Sequence, residues 1–182
     1  MSILPFIRVT MAVAAWVMLT GAARGAAPVY FDVVGGSGPH DVAAAPAPGP
    51  VYYTAQRTGR LGILDPGTRK VDEIDLGSGS APHGVVVGPD GAPWITDSGQ
   101  NAIVRVDPRT REVRVFALPR GSAYANLNTL TFDRKGSVWF TGQAGYYGRV
   151  DVATGDVKVW PAPRGRGPYG IATTPGGDIK YA

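Results

Sequence analysis

The chain holds two histidines, His40 and His83, each directly after a proline and 43 residues apart. An imidazole changes charge near neutral pH, and it can accept a proton, donate a hydrogen bond or hold a metal. The same step continued reaches Asn128, 45 residues after His83, and then Tyr169, 41 residues further on. Asn126 stands two residues before Asn128. For the histidines two roles are open: contact with substrate or metal, or a repeated side-chain hydrogen bond that pins a loop. Asn126, Asn128 and Tyr169 break the repeat. Departures from a repeat at a shared mouth are stronger ligand-contact candidates than the repeated residues themselves.

The elements that position these residues are repeated too. Tyr52, Trp94 and Trp139 follow at steps of 42 and 45, and Asp65, Asp107 and Asp151 at steps of 42 and 44. A period of about 40–45 residues carrying several short strands is the mark of a β-propeller blade. In the second unit, 82–87 is apolar and β-branched, as a buried inner strand requires. Gly88-Pro89-Asp90-Gly91 is a hairpin turn, because proline presets φ and Asp-Gly suits tight reversals. Strands are expected at 94–96, 103–106 and 112–116, the last alternating polar and apolar as an outer strand does. Asp107-Pro108-Arg109-Thr110 turns the chain between the third and fourth strands, as do Asp65-Pro66-Gly67-Thr68 and Asp151-Val152-Ala153-Thr154. Nothing beyond the N-terminal segment has helical periodicity, so the expected fold is all-β, a β-propeller of four-stranded blades.

The first 25 residues stand outside the repeat. Arg8 precedes an apolar run from Val9 to Leu19, and small residues follow at Gly21, Ala22, Ala23 and Gly25. This is the pattern of a secretory signal peptide cleaved after Gly25, with an apolar run too short to span a bilayer. The expected destination is the periplasm or the medium, with no membrane attachment after cleavage. There is no cysteine, so stability must come from burial. Without Arg8 and Arg24 the chain carries 16 basic against 14 acidic side chains, a net charge of +2 with no basic stripe. That excludes a nucleic-acid partner.

The domain expected at 26–182 is an incomplete propeller. Its blade units fall at about 39–74, 82–118 and 127–160, with a partial unit at 168–182 and an N-terminal outer strand at 29–33. This phase, three full units with pieces of two more, reads as the N-terminal half of a longer propeller. A small or partner-completed ring is the other expectation. Open strand edges at Tyr30 and Gly177 would favour association.

Pro-His-Gly, then Gly-Pro-Asp-Gly, then Trp-Ile-Thr or Trp139-Phe140-Thr141, then Arg-Val-Asp-Pro-x-Thr resembles the streptogramin B lyase (virginiamycin B lyase-like) family. Leu127-Asn128-Thr129 and Arg164-Gly165-Arg166-Gly167-Pro168-Tyr169-Gly170 resemble its exported bacterial branch. The resemblance implies a seven-bladed propeller that opens a cyclic peptide ester or lactone by elimination, with Mg2+ polarising a carbonyl and a histidine withdrawing the α-proton. In that family a glutamate stands two residues before the catalytic histidine and a second acid closes the following strand. Asp97, fourteen residues after His83, matches the second acid, but Ala81 stands where the first should be. His40 has Gly38 at that place, and its second strand ends in Thr54-Ala55. No complete catalytic set is expected in this chain, and the ligands for Mg2+ are expected in later blades. A non-catalytic ligand- or protein-binding propeller and a sugar-lactone hydrolase are the competing functions.

Other features read as structure. Asp65, Asp107 and Asp151 are turn residues, and Trp94 and Trp139 are expected in the core. Tyr146-Tyr147 is expected in a loop between second and third strands. Gly165-x-Gly167-x-x-Gly170 has the spacing of a dinucleotide loop but no following helix. Asp72-Glu73-x-Asp75 lacks the glycine and distal glutamate of a calcium loop.

Overall fold

The computed structural model describes residues 27–182. The expected signal peptide, 1–25, lies outside the described residues. Phe31–Ala182 make up one compact unit. It is built of fourteen strands and, among the described residues, no helix. The first sheet comprises β1 (Pro39–Ala44), β2 (Val51–Ala55), β3 (Arg60–Leu64) and β4 (Val71–Asp75). The second comprises β5 (Pro82–Val87), β6 (Pro93–Asp97), β7 (Ala102–Val106) and β8 (Val113–Ala117). The third comprises β9 (Leu127–Phe132), β10 (Val138–Gly142), β11 (Tyr146–Val150) and β12 (Val157–Pro161), and β13 (Ile171–Thr173) pairs with β14 (Ile179–Tyr181). Each sheet is an antiparallel meander in chain order. The inner strands β1, β5, β9 and β13 succeed one another side by side.

The turns carry the chemistry their residues allow. Asp107 Oδ1 accepts the amides of Arg109 and Thr110 at 2.9 Å each, and Asp65 Oδ1 those of Gly67 and Thr68 at 2.8 and 3.2 Å. These amides hold both carboxyls below the usual aspartate range, with the Thr68 hydroxyl the largest contributor at Asp65 and the Thr110 amide the largest at Asp107. Asp151 repeats the arrangement with Ala153 and Thr154.

Packing occurs between sheets, as a propeller requires. One face of the second sheet presents Trp94, Ile103 and Phe116 to Leu130, Val138, Phe140 and Val150 of the third. Its other face presents Ile95, Val104 and Val106 to Tyr52, Leu61 and Ile74 of the first. Two glycines are demanded by this packing. A Cβ on Gly62 would enter the Tyr53 ring, and one on Gly148 would enter the Phe140 ring. Second and third strands are cross-paired at these positions, Tyr53 opposite Gly62 and Phe140 opposite Gly148. In the second sheet the pair is Ile95 and Val104, where smaller side chains leave room for both.

Four local expectations need correction. Val29–Val33 forms no strand; the stretch pairs with no sheet edge in this chain, and a strand exists only through its partner. Tyr146 and Tyr147 begin β11 rather than sitting in a loop, and Tyr147 stacks on Trp160 and Tyr181 with ring centroids 5.4 Å apart in each pair. Trp139 is half-buried where Trp94 is fully buried, because its face meets only the two-stranded β13–β14 sheet. Trp139 instead stacks on Trp160 and donates its indole N–H to Asp133 at 2.8 Å. Gly177, expected at an open edge, lies in the turn between β13 and β14 with φ of +93°. Among the segments set aside, residues 165–170 run through a turn into β13, and Asp72 on β4 pairs with Arg111.

Candidate functional site

The first three inner strands each begin with a proline or leucine followed by one of the residues singled out in the repeat: His40 in β1, His83 in β5 and Asn128 in β9. Because these strands adjoin, the three side chains converge. The rings of His40 and His83 lie with centroids 3.8 Å apart at an interplanar angle of 43°. Asn128 Nδ2 stands 3.4 Å from His83 Nε2 on the other side. Asn128 is 0 % exposed, His83 is half-buried and His40 is exposed. His83 Nδ1 and Asn128 Oδ1 are out of reach of solvent without a hydrogen-bond partner. Burial, followed by the neighbouring His40, holds the His83 imidazole below the usual histidine range; the Asn128 main chain and Asp41 oppose this without outweighing it. The shift favours the neutral imidazole.

A β-bulge near the start of β1, β5 and β9 sets this arrangement. The register shifts between Pro39 and Val42 and again between Pro82 and Val85, and β9 carries the same irregularity against Phe140 and Gly142. A bulge releases one amide from the ladder. In each blade a buried threonine of the second strand collects it. Thr54 Oγ1 accepts the Asp41 amide at 2.9 Å, Thr96 Oγ1 the Gly84 amide at 2.8 Å and Thr141 Oγ1 the Thr129 amide at 3.4 Å. The same hydroxyls donate to the main-chain carbonyl of the next blade: Thr54 to His83 at 2.8 Å, Thr96 to Asn128, and Thr141 to Tyr169 at 2.5 Å. The loop-pinning bond thus belongs to the threonine of Trp-x-Thr, leaving the histidine side chains free of it.

The remaining candidates are placed apart from the cluster or committed elsewhere. Asp97 ends β6 fully buried; its Oδ1 accepts the amides of Ala81 and Gln100 at 2.9 and 3.0 Å, and its Oδ2 accepts the Ser80 hydroxyl at 2.5 Å. Asn126 precedes β9 in the left-handed region, φ +52°, and accepts the Tyr124 hydroxyl at 3.3 Å. Tyr169 is 52 % exposed and contributes its carbonyl to Thr129 and Thr141. Asp41 was missed in the sequence. Its Oδ2 accepts the Val85 amide at 3.3 Å across the blade junction, and its charge reaches His83. Only its place beside His40 could have drawn notice.

Magnesium takes oxygen ligands in a near-octahedral shell. Among the described residues no three His, Cys, Asp or Glu side chains gather to hold an ion. The carboxylates nearest the histidines in the strands, Asp41 and Asp97, are engaged by main-chain amides. These residues do not fit a magnesium site.

Meandering four-stranded sheets that follow one another through adjoining inner strands, with ligand-type side chains at the inner-strand starts, define a β-propeller. Solved structures share that fold. Catalytically inactive virginiamycin B lyase from Staphylococcus aureus with quinupristin, a histidine-to-alanine variant, superposes with a TM-score of 0.73 at 24% identity, over 81% of this chain and 49% of that one. A streptogramin B lyase structure superposes with a TM-score of 0.64 at 23% identity, over 80% of this chain and 54% of that one. Residues 22–182 match the virginiamycin B lyase family, and the chain belongs to that family. A gluconolactonase of Zymomonas mobilis is 39% identical over 77 residues, 42% of this chain and 21% of that protein. The chain spans about half the length of the solved lyases and about a fifth of the gluconolactonase.

Proposed function

We propose that this chain forms the ligand-binding wall of an exported, lyase-type propeller, with His40 and His83 meeting the substrate and the buried Asn128 backing His83. The metal-assisted elimination at an ester or lactone bond, and the Mg2+ ligands, belong to blades other than those described. The observation that carries this reading is the convergence of His40, His83 and Asn128 on adjoining inner strands, with buried polar atoms left unpaired. Asp97, the one residue at a catalytic acid's place, is fully buried and holds a loop through three hydrogen bonds. Export rests on residues 1–25 and places the protein in the periplasm or medium.

The test is to incubate the exported chain with quinupristin, with and without Mg2+, following binding by calorimetry and ester opening by mass spectrometry. Binding without opening is expected, weakened about tenfold by His83→Ala, which corresponds to one lost hydrogen bond. Magnesium-dependent opening by this chain would refute the division of labour. Absence of binding would remove the wall. A sugar-lactone hydrolase is the second reading, favoured by the gluconolactonase-like segment. It calls for carboxylates at the inner-strand starts, where this chain has only Asp41. A propeller that binds without any chemistry is the outcome if neither ester nor lactone is opened by the longest form of the protein.

A further inference from the structure

Asn128 follows two histidines in the row, and the change has a chemical consequence for its neighbour His83. An amide NH2 can only donate, so the ring nitrogen facing it must present a lone pair. Asn128 Nδ2 faces His83 Nε2. A neutral imidazole that accepts at Nε2 carries its one proton at Nδ1. We infer that Asn128 is a positioning residue that fixes His83 in the Nδ1–H form, so that its lone pair at Nε2 is engaged and the ring does not serve as a proton-accepting base. The Nδ1 that then carries the proton is buried and has no hydrogen-bond partner among the described residues.

The surroundings agree from each packed element. On β1, the exposed His40 ring packs at a tilt against His83, and Asp41 accepts the Val42 amide with one oxygen and the Val85 amide with the other. Asp41 makes no hydrogen bond to His83, so it does not hold the ring as the carboxylate of a proton relay would. From β2, Thr54 donates to the His83 carbonyl and fixes its backbone. On β9, Asn128 is wholly buried, and its own carbonyl accepts the Thr96 hydroxyl, so its side chain is delivered to His83 by a fixed main chain. A histidine at this place, as the repeat has at 40 and 83, would offer either a donor or an acceptor and would leave the His83 proton undetermined.

This inference rests on the ligand-wall reading but is measured without ligand, so the two can fail separately. The chain has only two histidines, and long-range 1H–15N correlation of the imidazoles, assigned with His40→Gln, reads each tautomer directly. At pH 7 the His83 Nδ1 is expected in the protonated range and its Nε2 in the unprotonated range. Asn128→Asp is expected to move the proton to Nε2 and raise the His83 midpoint by about one unit or more. Asn128→Ala is expected to return the ring to the Nε2–H form that free histidine prefers. Nε2–H in the wild-type chain would overturn the inference whatever the variants do. So would an unchanged tautomer in a folded Asn128→Ala, with folding verified by its melting transition.

Discussion

The Thr96 hydroxyl accepts the Gly84 amide of its own blade at 2.8 Å and donates to the Asn128 carbonyl of the next, so one buried oxygen closes a bulge and a blade junction together. Thr54 and Thr141 do the same on either side. Thr96→Val keeps shape but strands a buried donor and a buried acceptor. It is expected to cost about 2–4 kcal/mol, from two unsatisfied groups at about 1–2 kcal/mol each. Thr96→Ser restores the hydroxyl and is expected to recover most of that loss. Urea denaturation of the three proteins checks both values.

Asp97 separates a structural carboxylate from a catalytic one. Asp97→Ala removes the acceptor for the Ala81 and Gln100 amides and for the Ser80 hydroxyl in a fully buried place. A loss of about 3 kcal/mol is expected from the abandoned groups. Asp97→Asn keeps one oxygen and is expected to cost about half as much. Ligand affinity per folded molecule should stay within twofold in both, by calorimetry. A selective loss of affinity at full stability would return Asp97 to the binding site.

Gly62 and Gly148 exist for the rings across from them. Alanine at either place intrudes on Tyr53 or Phe140, both buried, and is expected to destabilise by about 3 kcal/mol, the upper range of overpacking. Pairing Gly148→Ala with Phe140→Leu should give back part of the cost by making room. Additive losses in thermal denaturation would show that the ring is not what the glycine serves.

His83 makes stability depend on pH in a defined direction. The folded chain holds its imidazole below the ordinary value, so between the two values the unfolded chain binds more protons and stability rises with pH. The full contribution is present above about 6.5, the ordinary histidine value, and is lost as pH falls through the folded one. Urea midpoints measured from pH 7.5 to 4.5 should therefore drop less steeply in His83→Gln than in the wild type. Asp65 and Asp107, held low by turn amides, act in a separate window below about pH 4. Equal slopes in both proteins would mean that His83 is solvated.

How far the sequence could be read follows from what each feature depends on. The period, the turn aspartates and the buried Trp94 depend on local chemistry repeated in register, and they were visible in the bare chain. Tyr146 and Tyr147 were misplaced because β-strands are set by pairing, here with Trp160 and Pro161 across β12. Val29–Val33 alternates like a strand, but alternation cannot supply a partner. The candidate row at His40, His83, Asn128 and Tyr169 was legible as a register, whereas its division into a converging trio and an exposed tyrosine came from which strands adjoin. The role of Thr54, Thr96 and Thr141 was hidden, because a hydroxyl that serves two blades has no signal in either one alone.

The threonine bonds reach His83, Asn128 and Tyr169 only through their carbonyl oxygens, an atom that every amino acid supplies. Assembly of the ring is thereby indifferent to which side chain stands at these three places. Mutation can rewrite these side chains, one blade at a time, without loosening the seam beneath them. Three unlike residues at one repeated position are the record that such freedom leaves: the scaffold is inherited, and recognition is free to drift.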